Sequence, residues 1–124
     1  MRSARSNLTH ATASRAWAWF CDIFGLDAWQ INVCISDDCP DWAVDTKQMG
    51  GCRTRMSYRM ATIWVSNSRS LADGEDPLST FFHECMHILA EEAGIKGDSA
   101  PRREFVWNRA GDLLAKAFRA KVKP

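Results

Sequence analysis

Hydrophobic and polar positions change period several times along the chain. Trp17, Phe20, Cys21 and Phe24 recur at i, i+3, i+4 and i+7, the spacing of one helical face, and Gly25 follows as a left-handed stop. This predicts a first helix from about Thr12, with residues 1–11 loosely ordered. From Trp29 to Ser36 the period drops to two: Trp29, Ile31, Val33 and Ile35 alternate with Gln30, Asn32, Cys34 and Ser36, as in a half-buried strand. Asp37 to Asp41 reads as a loop from its turn residues, and the stretch up to Gly50-Gly51 shows no clear period. Arg53 to Met56 and Ala61 to Val65 flank Ser57-Tyr58-Arg59, and the β-rich Ala-Thr-Ile-Trp-Val predicts a hairpin.

Asp76-Pro77 joins an N-cap acceptor to a residue with no N–H to leave unpaired, so a helix begins near Pro77. It runs to Ala93, where Gly94 stops it, and Ser99 with Pro101 opens a last helix that continues to about Ala120. The expected architecture is a single α+β domain over residues 1–124. It comprises an N-terminal helix, a small three-stranded antiparallel sheet, a central helix and an antiparallel C-terminal helix.

Composition narrows the function classes. A chain of 124 residues with 46% hydrophobic content supports one core, and 16 basic against 15 acidic residues offer no electrostatic case for a nucleic acid or an anionic membrane. No apolar run approaches the ~20 residues of a membrane span. Arg2, Arg5 and Arg15 precede only the short apolar stretch Ala16 to Phe20, which is followed by Asp22 and has no credible cleavage site. With five cysteines, an odd number, the expectation is a cytoplasmic protein with reduced thiols and no disulfide framework.

The chemistry concentrates in His83-Glu84-Cys85-Met86-His87, an H-E-x-x-H pattern whose imidazoles, four residues apart on a helix, share a face and can grip one metal ion. On a wheel advancing about 100° per residue, His83, Glu84, His87 and Glu91 lie within one narrow arc. Phe81, Phe82, Cys85, Met86, Ile88, Leu89, Ala90 and Ala93 fill nearly all the rest, with Glu92 the only charged intruder. An ordinary solvated stripe would recruit Lys or Arg, yet none occurs from Pro77 to Gly94. Imidazoles and carboxylates alone on a face call for a cation.

Two imidazoles leave a catalytic zinc one protein ligand short. Glu91 lies ~12 Å from His83 in axial rise, too far to share its ion, and reads as flanking. If a short loop after Gly94 returns an antiparallel helix, His87 lies ~10 Å before the turn and Glu104 ~8 Å after it, so the two face each other. On the second wheel Val106, Trp107, Ala110, Gly111, Leu113, Leu114, Ala117 and Phe118 form the expected buried arc. Glu104 borders that arc, whereas Asp112, near the level of His83, keeps company with Lys116 and Arg119. Glu104 is therefore the preferred third ligand and Asp112 the alternative.

With these residues in place, the chain resembles the minimal gluzincin-type HExxH zinc metallopeptidases, small single-domain proteins of which many are phage-encoded. The likeness runs in order through Leu26 to Ser36, the hairpin ending in Ala61-Thr62-Ile63-Trp64-Val65, the motif Phe82 to His87, and Glu104-Phe105-Val106-Trp107-Asn108. It implies a zincin-like core, Zn2+ held by His83, His87 and Glu104, and Glu84 as the catalytic carboxylate that hydrolyses peptide bonds with a metal-activated water. The implied partner is a peptide or protein substrate, with no nucleic acid and no membrane. Cys85 and Met86 depart from the usual motif and are expected to face the core, and no third downstream histidine follows; His10 lies far upstream.

Lesser candidates accompany this set. Asn108 is a candidate to orient a ligand imidazole, Tyr58 to donate to an oxyanion, and the strand at Ala61 to Val65, if an edge, to pair with an extended peptide. Cys34, Cys39 and Cys52 with His10 are a candidate second, structural zinc site of irregular C-x4-C spacing. The alternative function is a non-catalytic zinc-binding interaction module on a degenerate peptidase scaffold. Glu84 speaks against it, because a structural site fills all four positions and needs no base.

Overall fold

The computed structural model describes residues 6–43, 48–95 and 100–122. Helix α1 spans His10–Phe24, beginning at His10 rather than near Thr12. Thr9 caps it by accepting from the Thr12 N–H, and Gly25 at φ 69° closes it. Ahead of the cap, buried Leu8 is fixed through its backbone: its N–H donates to Asn67 Oδ1 at 2.8 Å and its carbonyl accepts from Asn67 Nδ2 at 3.1 Å.

Three strands follow: β1 over Gln30–Ile35, β2 over Gly50–Arg55 and β3 over Met60–Val65. The hairpin forms as expected, antiparallel from Gly50 opposite Val65 to Arg55 opposite Met60, around a 3-10 turn at Met56–Tyr58. The expected all-antiparallel sheet is not found. β1 pairs with β3 in parallel, Gln30 opposite Met60 through Ile35 opposite Val65, and the order is β1-β3-β2 in a mixed sheet. The chain leaves β1 and enters β2 at the same end, both facing Val65, with one strand position left between them. The hairpin's return strand fills that gap. Alternation along a strand specifies which face each side chain takes, not which strand lies beside it. β3 suits the centre because Ala61, Ile63, Trp64 and Val65 are all buried. A central strand has no free edge, so peptide pairing at Ala61 to Val65 is ruled out; β1 and β2 are the edges instead.

A short helix, α2, spans Asn67–Ala72 and was not expected. Ser66 caps it, but fewer than two turns carry no apolar period, and Ser70 is its only buried side chain. Helix α3 spans Pro77–Ala93, bounded by the Asp76 cap and Gly94 at φ 72°, and α4 spans Ala100–Val122; the expected start at Ser99 lies outside the described residues. α3 is the central helix, which explains its apolar girth: Leu78, Phe81, Phe82, Cys85 and Ile88 pack against α1, the sheet and α4. Phe82 meets Trp19 of α1 at 5.6 Å and Phe118 of α4 at 6.0 Å between ring centroids. Its charged intruder has partners: Glu92 accepts from Trp29 Nε1 at 2.8 Å and pairs with Arg59 at 2.9 Å.

The buried arc expected of α4 is narrower in fact. Trp107, Gly111, Ala115 and Phe118 are buried and Leu114 half-buried, whereas Val106, Leu113 and Ala117 face outward. α4 lies on the outside of the domain and packs chiefly on α3, so one seam is covered and the flanks are not. Among the described residues no helix is long and apolar enough to cross a membrane.

Candidate metal centre

Each part of the site comes from an element with a local reason for its position. The Asp76 cap and Pro77 start α3 in the phase that puts His83, Glu84 and His87 on the side facing α4 and the edge of β2. The imidazole centroids stand 5.2 Å apart. From the returning helix, Glu104 Oε1 lies 2.9 Å from His83 Nε2 and Oε2 lies 3.3 Å from His87 Nε2. The ligand atoms of His83, His87 and Glu104 lie within 4.8 Å of one another, and no other such group of three or more occurs among the described residues. Burial grades across the cluster from buried His83 through half-buried His87 to exposed Glu104. This is a centre anchored in the core and open on one side.

Glu84 occupies the inner wall, its carboxylate oxygens 4.0 Å from both Nε2 atoms. Burial pushes this carboxyl up to about 8, with a further contribution from the Glu104 charge. The close fit of β2 is part of the cause. A Cβ on Gly50 would stand 2.8 Å from Thr80 Cγ2, 2.8 Å from the Trp64 carbonyl and 3.4 Å from Glu84 Oε2, so only glycine brings the strand this near. Gly50 thus belongs to the site although the stretch leading to it shows no clear period in the sequence. A glycine pair just ahead of a β-rich hairpin was the available signal.

Two clefts meet at His83, Glu84 and Glu104. One of about 590 Å3 extends past Thr80, Arg69 and Asn108, and one of about 370 Å3 past Cys52, Thr54, Glu91 and Ile95. Asn108 therefore lines the site, while Glu91 flanks it one turn beyond His87 and is not in the ligand group. Asp112 is exposed and outside the group. Tyr58 is 70% exposed at the hairpin tip and lines neither cleft, which removes it as an oxyanion donor. Cys85 is fully buried and Met86 half-buried, in keeping with a core-facing motif interior. The candidate second zinc site is not assembled: His10 contacts the Val33 carbonyl, Cys34 is exposed on β1, Cys39 contacts the Pro40 and Ala43 carbonyls, and Cys52 lies in the cleft.

The residues present fit a zinc ion. Two neutral imidazoles and one carboxylate are the donor set of an open catalytic site. The His83 ring turns Nε2 into the cluster, 2.9 Å from Glu104 Oε1, which leaves its buried Nδ1 without a hydrogen-bond partner. Trp107, 8% exposed, meets the His87 ring edge-on at 6.5 Å and walls the site from α4. No protein-family model, curated protein or solved structure matches the chain.

Proposed function

We propose that the protein is a zinc-dependent metallopeptidase with a zincin-like core, holding Zn2+ through His83, His87 and Glu104 and using Glu84 as general base. One observation carries the reading: three donors of the right type lie within 4.8 Å of one another while a fourth, non-ligand carboxyl stands 4.0 Å from both imidazoles. A purely structural site has no use for that carboxyl. When bound, zinc supplies Lewis acidity, lowering the pKa of a water towards ~7 and polarising the scissile carbonyl.

The chain's own residues do the rest. Glu84, buried where the two clefts meet, takes the proton of the attacking water at its carboxylate and returns it to the leaving amine. Burial disfavours the charged form of this carboxyl in the metal-free chain, and a bound dication beside it would restore the carboxylate that accepts the proton. The two clefts on either side of the centre provide room for an extended peptide, and β2, the edge strand nearest them, offers its backbone for pairing.

The test pairs wild type with Glu84→Gln. Both are expected to hold one zinc per chain, and only wild type to cleave an unfolded casein-type substrate. Equal cleavage by the two proteins refutes the mechanism, and zinc binding by a wild type that cleaves no peptide favours the interaction-module reading.

A further inference from the structure

We propose that Gly111 is a positioning residue for the metal centre: by lacking a side chain it seats α4 close enough to α3 for Glu104 to reach the His83–His87 pair. The proposal rests on the metal-site reading above. Gly111 sits deep inside the 23-residue helix α4, where glycine is a poor helix former and no cap or turn calls for it. Its φ is not among the positive values found at Gly25, Gly74 and Gly94, so conformational freedom does not explain it either. What remains is the missing Cβ. A Cβ there would stand 2.6 Å from the Ser79 carbonyl oxygen, 3.1 Å from the His83 nitrogen and 3.4 Å from His83 Cβ. The two nearest are backbone atoms of α3, in the turn that carries the first ligand, and they cannot rotate away.

Geometry links this crossing to the ligand. Glu104 lies seven residues before Gly111, about two helical turns or ~10 Å, and so on the same side of α4. Beyond Gly111 the seam continues through buried Ala115 and Phe118, and Arg119 Nη2 donates to Asp76 Oδ1, the α3 cap, at 2.9 Å. α4 is therefore seated on α3 at a far end, at a crossing and at the metal centre. Relieving the 2.6 Å contact to an ordinary carbon–oxygen separation of about 3.3 Å moves α4 outward by about 0.7 Å. Metal sites tolerate about 0.2 Å in ligand distance, so the shift exceeds what coordination absorbs.

The experiment measures zinc affinity of the full chain by competition with a chromophoric chelator, alongside the Co2+ absorption spectrum as a report of coordination. The variants are Gly111→Ala, Glu104→Ala, the double variant, and Arg119→Met as a control that loosens the same helix far from the centre. Gly111→Ala is expected to bind zinc at least tenfold more weakly than wild type and than Arg119→Met, to alter the Co2+ spectrum, and to add no further loss in the Glu104→Ala background. Affinity of Gly111→Ala within twofold of wild type overturns the proposal, as does a full additional loss in the double variant. Should Gly111→Ala not fold without metal, zinc-driven refolding followed by far-UV circular dichroism replaces the titration. Refolding at the same free zinc as an equally destabilised Arg119→Met again overturns it. If Glu104→Ala keeps wild-type affinity, the ligand assignment itself fails, an outcome distinct from failure at Gly111 alone.

Discussion

Replacing Glu84 by glutamine in the metal-free protein should reverse the usual cost of altering a buried site. Glu84 is 6% exposed, and its carboxyl titrates near 8 in the folded chain against an ordinary value of 4.5. Between those values the folded state keeps a proton that the unfolded state has released. The folded state then binds more protons, so the free energy of unfolding falls as pH rises from about 4.5 to about 8. At about 1.36 kcal/mol per pH unit, the loss reaches about 3 kcal/mol at pH 7 and about 5 kcal/mol once both states are ionised. Against a domain stability of about 5–15 kcal/mol this is a large fraction. Glutamine has the shape of the protonated acid and does not titrate. Urea unfolding in a chelator, from pH 5 to pH 9, should therefore show Glu84→Gln within about 1 kcal/mol of wild type at pH 5 and more stable by about 3 kcal/mol at pH 7. Saturating zinc should flatten the wild-type profile, because a nearby dication favours the carboxylate. Parallel pH profiles for the two metal-free proteins would refute the reasoning, since they would mean that burial does not hold the proton on Glu84.

Three further outcomes test other parts of the structure. Glu104→Ala should lose zinc on metal analysis while Asp112→Ala retains it, because only Glu104 stands against the imidazoles; the opposite result overturns the assignment. Gly50→Ala should cost about 1–3 kcal/mol in urea unfolding through overpacking against Thr80 and the Trp64 carbonyl, with partial recovery in Gly50→Ala/Thr80→Ser, which removes Thr80 Cγ2. A Gly50→Ala protein as stable as wild type would show that β2 has room to move. Asp76→Ala should lower stability by about 1–2 kcal/mol, as the cap to Leu78 N–H at 3.1 Å and the pairing with Arg119 disappear together; an unchanged unfolding midpoint would count against that cap.

Local rules sufficed wherever a feature depends on residues close together in the chain. Asp76-Pro77 and Gly94 bound α3 through their own hydrogen bonding and backbone preferences, and four-residue spacing puts His83 and His87 on one face wherever that helix lies. The alternation from Trp29 to Ser36 likewise set the faces of β1, with Ile31, Val33 and Ile35 the more buried positions. Sheet order was out of reach, since side-chain period is the same for a parallel and an antiparallel neighbour, and only the three-dimensional path puts β3 between β1 and β2. The same holds for the two glycines. Gly50 and Gly111 look like weak points in a strand and a helix, and their use appears only when another element's backbone arrives within 3 Å of the absent Cβ. The outward turn of Val106 and Leu113 has the same origin: a wheel gives the phase of a helix, but the width of its buried arc depends on how many neighbours cover it, and α4 packs chiefly on one. Sequence alone thus determined the ends and faces of the central helix and pointed to Glu104 opposite it, whereas tertiary packing decided the sheet order and the close approaches at Gly50 and Gly111, because distances between elements are set by the whole core and not by any one segment.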